Sequence, residues 1–315
     1  MWLYLAALLG LYFLRRWYQE RQTVENLTEK YVFITGCSAG LGNHLARHLD
    51  ARGLRVLATC TTQKGAEQLD KVTSERLKTT VLDVTSKESV AAATEWVKEQ
   101  VGNKGLWGLV NNAAIAAPSA PSEWLTKDGV AKMIGVNFLG MIDMTLHMLP
   151  LVRRARGRVV NMSSIMGRLA CFAVPYTASK YSVEAFSDVL RREMHPFGVR
   201  VSIIEPGSFK TPMQSKTVES YKNAWSQVPS DIKEAYGQRY FERSLKLLKF
   251  CHFTGSSNFQ PVTDSIEHAL TSCSPRIRYC PGWDAKLFYV PLSYLPDSIL
   301  DFVWRCIWPK PAQAV

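Results

Sequence analysis

The spacing of apolar positions changes character along this chain, and the changes mark its elements. Residues 1–14 carry no charge and are dominated by Trp2, Leu3, Leu5, Leu8, Leu9, Leu11, Phe13 and Leu14. Arg15 and Arg16 end that run, and Trp17 and Tyr18 follow. From Lys30 onward, short apolar runs of strand length alternate with stretches of helical period. Residues 31–35 predict a strand running into glycines, and Leu41, Leu45, Ala46 and Leu49 predict a helix stopped by Gly53. Strand is expected over 55–60, helix near 66–72, and strand again over 79–82. Thr85-Ser86-Lys87-Glu88 has the spacing of a capping box, opening a helix through Val90, Ala93, Trp96 and Val97. A strand over 106–110 precedes a long helix carrying Met133, Val136, Asn137 and Met141. A strand over 158–162, a helix over 176–195 and a strand over 199–204 follow. This alternation predicts an α/β fold, a Rossmann-type doubly wound parallel sheet with helices on both faces, spanning 29–290.

Beyond Pro206 the alternation fails. Residues 208–261 read as mixed helix and loop, rich in aromatics such as Phe209, Tyr221, Trp225, Tyr236, Tyr240 and Phe241, and form an expected substrate lid. A helix over 264–271 and a short strand over 278–280 close the sheet. The tail, 291–315, is apolar but broken by Pro291, Pro296, Asp297 and Asp301. That pattern argues against a second membrane span and for a helix lying on the core or in the membrane interface.

An apolar fraction of 47% against 21% charged residues is that of an ordinary globular chain. The formal charge of +11 comes from scattered basic residues. Their densest cluster, Arg153, Arg154, Arg156 and Arg158, falls between a helix and a strand, where a solvated loop is expected. No nucleic-acid partner is expected, and attraction to an anionic membrane explains the surplus at least as well. Seven cysteines without a CxxC pair predict mostly free thiols and no metal site. A cleaved signal peptide would want positive charge before the first apolar run and a small-residue cleavage site after it, and both are missing. Residues 1–18 are therefore expected to be an uncleaved membrane anchor, about 27 Å long as a helix. The arginines after the run place the rest of the chain in the cytosol by the positive-inside rule. Asn26-Leu27-Thr28 is a glycosylation sequon close to that membrane.

Three motifs carry chemistry. Thr35-Gly36-Cys37-Ser38-Ala39-Gly40-Leu41-Gly42 sits between the first strand and the first helix of the alternation. Glycines there permit a tight turn and let backbone amides approach a pyrophosphate at a helix N-terminus. The spacing is GxxxGxG rather than GxGxxG, and a plain strand-to-helix turn would also use glycine. In Tyr176-Thr177-Ala178-Ser179-Lys180, positions i and i+4 share a helix face, so phenol and ammonium point the same way. A phenol ionises near pH ~10. A neighbouring cation favours the phenolate and makes tyrosine a usable base near neutral pH. Among twelve tyrosines a chance YxxxK match is unsurprising by itself. Asn161-Met162-Ser163-Ser164 ends a strand shortly before Tyr176, and a serine hydroxyl there can bond a substrate oxygen as it passes between hydroxyl and carbonyl. The bland role, capping the turn, is expected of Ser163.

Together these residues resemble the short-chain dehydrogenase/reductase family, and closely its retinol dehydrogenase and microsomal 17β-hydroxysteroid dehydrogenase branch, over nearly the whole chain. Leu82-Asp83-Val84 resembles the family's adenine-binding aspartate, and Asn111-Asn112-Ala113 its motif after the fourth strand. Asn137 matches the helix asparagine that completes the catalytic tetrad. Pro206-Gly207 and Thr211 match the segment gripping the nicotinamide carboxamide. The branch is suggested by Met1-Trp2-Leu3, Ala185-Phe186-Ser187-Asp188, Pro281-Gly282-Trp283-Asp284-Ala285-Lys286 and Pro309-Lys310-Pro311-Ala312. The chain departs from the branch at Ser38, where aspartate is usual, and at Ala114 and Pro175, where glycine is. Ala114 is expected to crowd the cofactor strand and Ser38 to loosen cofactor preference.

The resemblance implies a membrane-anchored alcohol dehydrogenase. Tyr176 takes the hydroxyl proton of a secondary or allylic alcohol while hydride passes to a nicotinamide. Ser164 orients the substrate oxygen, Lys180 holds the ribose and lowers the phenol pKa, and Asn137 anchors a water linking Lys180 to solvent. Cofactor contacts are expected at Gly36, Ser38, Gly40, Leu41, Gly42, Asp83, Asn111, Ala113, Tyr176, Lys180, Pro206, Gly207 and Thr211. NAD is expected over NADP, because residues 58–62 offer no arginine or lysine to a 2′-phosphate. Retinol and 3α- or 17β-hydroxysteroids are the candidate substrates, met at the endoplasmic reticulum membrane, and a homodimer is left open. Two rivals stand beside this reading: an NADPH-dependent retinal or ketosteroid reductase, and a catalytically silent, membrane-tethered lipid-binding protein of the same fold.

Overall fold

Seven strands, β1 (Tyr31–Ile34), β2 (Arg55–Cys60), β3 (Leu77–Val81), β4 (Gly108–Asn111), β5 (Arg158–Met162), β6 (Arg200–Ile204) and β7 (Arg278–Tyr279), form one sheet in the computed structural model. It describes residues 2–314, so Met1 of the expected anchor and Val315 of the expected tail lie outside it. All neighbours are parallel, in the order β3-β2-β1-β4-β5-β6-β7. The helices are α1 (Trp2–Arg21), α2 (Gly40–Ala51), α3 (Gln63–Asp70), α4 (Lys87–Val101), α5 (Lys127–Ile134), α6 (Gly140–Arg154) and α7 (Val174–Met194). They continue with α8 (Pro212–Gln227), α9 (Ser230–Tyr236), α10 (Gln238–Thr254), α11 (Gln260–Thr271), α12 (Val290–Leu292) and α13 (Asp297–Ile307).

Alternate strand positions feed opposite layers. On β1, Val32 and Ile34 pack with Leu45 and Leu49 of α2 and Val262 and Ile266 of α11. Phe33 between them joins Val90 and Val97 of α4, Met144 and Met148 of α6 and Leu190 of α7. Because both faces are covered, every residue of β4 and β5 is buried, which is why such strands read as continuous apolar runs.

Element boundaries differ from the expected ones for local reasons. The α4 cap is Ser86, whose hydroxyl accepts from the Ser89 amide at 3.2 Å. Thr85 does not complete a capping box: its amide and hydroxyl donate to the Asp83 carboxylate at 2.9 and 2.7 Å. The 153–158 cluster is only partly a solvated loop. Arg153, Arg154 and Arg156 are exposed, but Arg158 opens β5, is buried, and lies over the Trp107 ring at 4.6 Å. Burial pushes its pKa down to about 10. The expected long helix is α5 and α6 joined by a π turn at Gly135–Leu139. Over Lys127–Arg154 it is apolar enough in composition to cross a membrane, yet Met133, Met144 and Met148 are wholly buried in the core.

The segment after β6, expected as mixed helix and loop, is three helices, α8 to α10, with short joints. They close an aromatic cluster around Trp124, whose ring centroid lies 4.7 Å from Trp225, 5.2 Å from Tyr221 and from Tyr236, and 6.0 Å from Tyr240. On α13 and just beyond it, Trp304 and Trp308 stack on Phe172 at 6.4 and 6.1 Å. The other side of α13 leaves Ile299, Phe302 and Ile307 exposed.

Helix α1 projects with Leu5, Leu8, Leu9, Leu11, Phe13 and Leu14 exposed. Its 20 residues would extend about 30 Å. Its last turn, by contrast, is fastened to the domain. The Glu20 carbonyl accepts from His268 Nε2 (2.8 Å) and the Ser272 hydroxyl (3.0 Å), and its carboxylate pairs with Arg276 at 2.6 Å. The Val24 amide then donates to the Thr271 carbonyl at 2.7 Å, and the Cys273 amide to the Gln22 carbonyl at 2.8 Å. Side chains thus satisfy a helix end that would otherwise hold unpaired carbonyls.

Candidate active site

The C-terminal ends of β1, β4, β5 and β6 meet where the strand order reverses between β1 and β4, the place at which a doubly wound sheet opens its ligand crevice. Gly36 and Gly40 take φ of 75° and 65°, a region costly for other residues. A Cβ on Gly36 would lie 2.8 Å from the Cα of Ala113, and one on Gly42 would strike the Gly36 carbonyl and the Asn112 amide. The turn is therefore pressed against the end of β4 with no room for a side chain. Directional bonds hold it there. Asn112 Nδ2 donates to the Thr35 and Gly36 carbonyls at 2.9 and 3.1 Å, and the Thr35 hydroxyl accepts from the amides of Asn112 and Ala113, each at 3.0 Å. The Cys37 amide donates to the Thr59 carbonyl at 2.6 Å, and the Thr61 amide to Ser38 Oγ at 2.9 Å.

At the start of α2, Ala39 occupies the cap and supplies no side-chain acceptor. The first-turn amides, beginning with Gly40, Leu41 and Gly42, are left for an external anion, which the helix dipole also favours. This cradle fits the pyrophosphate of a dinucleotide. Thr211 comes within 3.9 Å of where a Gly40 Cβ would stand, so the β6 segment overhangs the turn. Gly207 is equally crowded, by Asp284, whose carboxylate accepts from the Ser208 amide at 2.7 Å. The Pro206 carbonyl accepts from the Ile165 amide at 3.1 Å.

Ser164, Tyr176 and Lys180 come together on this edge. Pro175 sits in the first turn of α7, where a missing amide costs no hydrogen bond, so that departure from the branch is accommodated. Ser164 follows β5, accepts from the Met166 amide at 3.2 Å, and faces the Tyr176 phenol, whose ionised form it favours. It is Ser164, not Ser163, that caps the turn. Ser163 instead donates to the Lys180 carbonyl at 3.4 Å. Lys180 is buried and its ammonium, 5.6 Å from the Tyr176 ring centroid, donates to the Met162 carbonyl at 2.7 Å. Asn137 lies in the π turn. Its Oδ1 accepts from the Ile115 amide at 2.8 Å, and its Nδ2 donates to the Ile115 carbonyl at 2.9 Å and to Ser179 Oγ at 3.1 Å. Ser179 in turn donates to the Tyr176 carbonyl at 2.7 Å.

Burial pushes the Tyr176 phenol up, and the bond with Ser164 opposes it. Burial pulls Lys180 down to about 8, and the Glu184 carboxylate opposes that. In the protein alone, then, desolvation outweighs the Ser164 bond and the phenol sits above its ordinary range. A second positive charge in the crevice would have to supply the difference.

Other expected residues fall in different surroundings. Asn111 turns into the sheet, where its Nδ2 donates to Thr145 Oγ1 and Asn161 Oδ1, both at 2.8 Å. The side chain that meets the glycine turn is that of Asn112. Asp83 is exposed, and the bonds from Thr85 hold its carboxyl below the usual range. Thr35, Thr59, Asn112, Ser179 and Asp284 brace the site without being singled out by the sequence. Thr35, Asn112, Ser179 and Asp284 stand inside the motifs quoted above, and Thr59 inside the 58–62 segment read only for its lack of a cation.

A family model described as short chain dehydrogenase matches residues 30–222. Human 17-beta-hydroxysteroid dehydrogenase type 6 is 59% identical over 317 residues, covering 100% of each chain. Human retinol dehydrogenase 16 is 55% identical over 317 residues with the same coverage. A solved short-chain dehydrogenase from Streptomyces avermitilis matches with a TM-score of 0.70 at 24% identity, covering 88% of this chain and 95% of that one.

Proposed function

We propose, from the premise that the chain belongs to the short-chain dehydrogenase family, that it oxidises a lipophilic alcohol, retinol or a 3α- or 17β-hydroxysteroid, with NAD at a membrane surface. The family and the full-length relatives make it an NAD(P)-dependent alcohol oxidoreductase. The observation that carries the finer reading is the convergence of Tyr176, Ser164 and Lys180 beside a cradle that excludes side chains at Gly36 and Gly42. Ser164 Oγ and the Tyr176 phenol bracket the substrate oxygen. The phenolate takes the hydroxyl proton while the carbon gives up its hydride, and Ser164 stays bonded to the oxygen as it becomes a carbonyl. Bound in the cradle by the 36–42 turn, Pro206, Gly207 and Thr211, with Asp83 at the adenine end, a nicotinamide supplies the hydride acceptor and a positive charge that favours the phenolate. Lys180 reaches the ribose and relays the proton. Asn137 is a positioning residue: both its amide donors are committed to Ile115 and Ser179, which holds the Tyr176 turn against the end of β4. The water linking Lys180 to solvent then rests on the acceptors of Asn137 rather than its donors.

The preference for NAD is shallow in this reading. Ser38 and the end of β2 offer no cation, but Lys64 stands beside Gly65, whose Cβ position is 3.4 Å from Ser38 Oγ. The aromatic wall around Trp124 suits a polyene or a fused-ring alcohol. Helix α1 anchors the chain in the endoplasmic reticulum membrane with the domain cytosolic, supported by its exposed leucines and by Arg15, Arg16 and Arg21 behind them. The test is turnover of a retinoid and hydroxysteroid panel in detergent with each cofactor. Oxidation of at least one class, with NAD bound more tightly than NADP, is expected. Turnover of neither class by folded protein would overturn the reading. Protease should digest the domain in intact microsomes, and full protection would reverse the orientation.

A further inference from the structure

The lid carries on its outer side a groove that alcohol oxidation does not use. It lies between α10 and the last residues of the chain and encloses about 1040 Å³. Arg239, Arg243, Lys246 and Lys310 line it, beside Phe250 and Ile307, and among the described residues no aspartate or glutamate does. Nor does any of these cations form an ion pair among the described residues. The groove is held in shape. Trp308 Nε1 donates to the Tyr240 hydroxyl at 2.9 Å, and the amides of Ala312 and Gln313 donate to the carbonyls of Tyr236 (2.9 Å) and Ala235 (3.0 Å). A Cβ on Gly237 would lie 2.8 Å from that of Ala312, so the tail is pressed onto the α9–α10 junction. Like charges gathered around one space repel unless an anion joins them, and guanidinium groups match the oxygens of a phosphate ester.

We propose that this groove binds the phosphate head of an anionic phospholipid and seats the lid on the bilayer surface. The proposal rests on the membrane part of the function above and adds a ligand site to it. A lipid fits better than a soluble phosphate ester because Phe250 and Ile307 are exposed and line the groove with the cations, and Phe253 on α10 and Phe302 on α13 are exposed on the same two helices. A soluble ester would leave them in water, whereas an interface takes up both charge and apolar surface. Tyr236 and Tyr240 line the groove on one side and pack on Trp124 on the other. An occupied groove therefore steadies the substrate wall, and anionic lipid should lower KM for the alcohol more than it changes kcat.

Full-length protein in nanodiscs tests this, with phosphatidylcholine alone compared against phosphatidylcholine mixed with phosphatidylserine. Amides of α10 and of residues 304–313 should exchange at least about tenfold more slowly in the anionic discs. Arg243→Glu with Lys246→Glu should abolish the difference, and Lys310→Glu in the tail should do so independently. Lys71→Glu with Lys87→Glu, the same charge change on other exposed positions, should preserve it. Equal exchange in the two discs, equal loss in both double variants, or the same protection from inorganic phosphate added to neutral discs would each overturn the proposal. Alcohol oxidation is measured on the same discs. Turnover without protection removes the groove alone, and protection without turnover removes the dehydrogenase reading alone.

Discussion

The cofactor side of the crevice and the lid side are held by different forces. On the cofactor side backbone meets backbone: Gly36 lies against Ala113, Gly42 against the Gly36 carbonyl, and Asn112, Thr35 and Thr59 stitch the contact with short directional bonds. On the lid side rings meet rings around Trp124 at centroid distances of 4.7–6.0 Å, and Trp124 Nε1, Tyr221 Oη and Ser244 Oγ stay buried without a partner among the described residues. Excluded volume specifies the first half to within one methyl group. Contact area specifies the second, and area can be redistributed among neighbouring rings. On the proposed function, the half assigned to the chemistry is thus intolerant of substitution, and the half assigned to the substrate is adaptable.

Tyr176→Phe, at the border of the two halves, should show the largest effect. Turnover should fall by ~10²–10⁴-fold, the loss typical of an acid–base group. NAD affinity and melting temperature, read on the same preparation, should stay near those of the parent. A well-folded variant with near-normal turnover would remove the mechanism. Next comes Gly36→Ala, where one methyl group meets Ala113 at a positive φ. NAD affinity by calorimetry should weaken at least about tenfold, the equivalent of ~1.4 kcal/mol. Unchanged affinity would break the comparison at its stiffer end.

Glu184 probes the support behind the cofactor side. Burial and the neighbouring Glu205 raise its pKa to about 7, against bonds from Ser163 and Arg278. Between its ordinary value and about 7, the folded chain binds this proton more tightly than the unfolded one. Its contribution is therefore present at low pH and lost as pH rises to about 7. Glu184→Gln should flatten melting temperature against pH over that window, and an unchanged profile would show that the carboxyl does not titrate there. The smallest effect is expected in the lid. Trp225→Phe should raise KM for a bulky alcohol only about two- to fivefold and leave NAD binding unchanged, because neighbouring rings take up the space. A loss of NAD affinity there would show that the halves are not separable.

The same contrast governs what could be read in advance. The strand–helix alternation, the glycine turn and the Tyr176–Lys180 spacing are local patterns, and each was legible from residues close in sequence. That Ser164 rather than Ser163 caps the turn is not, since it depends on where Lys180 arrives from α7 to take the Ser163 hydroxyl. Asn111 and Asn112 differ only in which face of β4 they leave by, so the one that meets the glycine turn could not be picked without the sheet. Arg158 looked solvated among its neighbours because the burying partner, Trp107, comes from before β4. The lid reads only as mixed helix and loop, without helix bounds, because its apolar positions pack on one another and on Trp124 rather than along a sheet.

The fastening of Glu20 makes α1 and the domain a single lever. A helix turns about 100° and climbs ~1.5 Å with every residue. A slack linker would absorb a change in residue count between Tyr18 and Glu20, but a joint pinned by His268, Ser272 and Arg276 cannot. One residue added there would swing the whole domain by about 100° relative to Trp17 and Tyr18. The compass heading of the crevice about the α1 axis is in this way written into the number of residues in one helical turn.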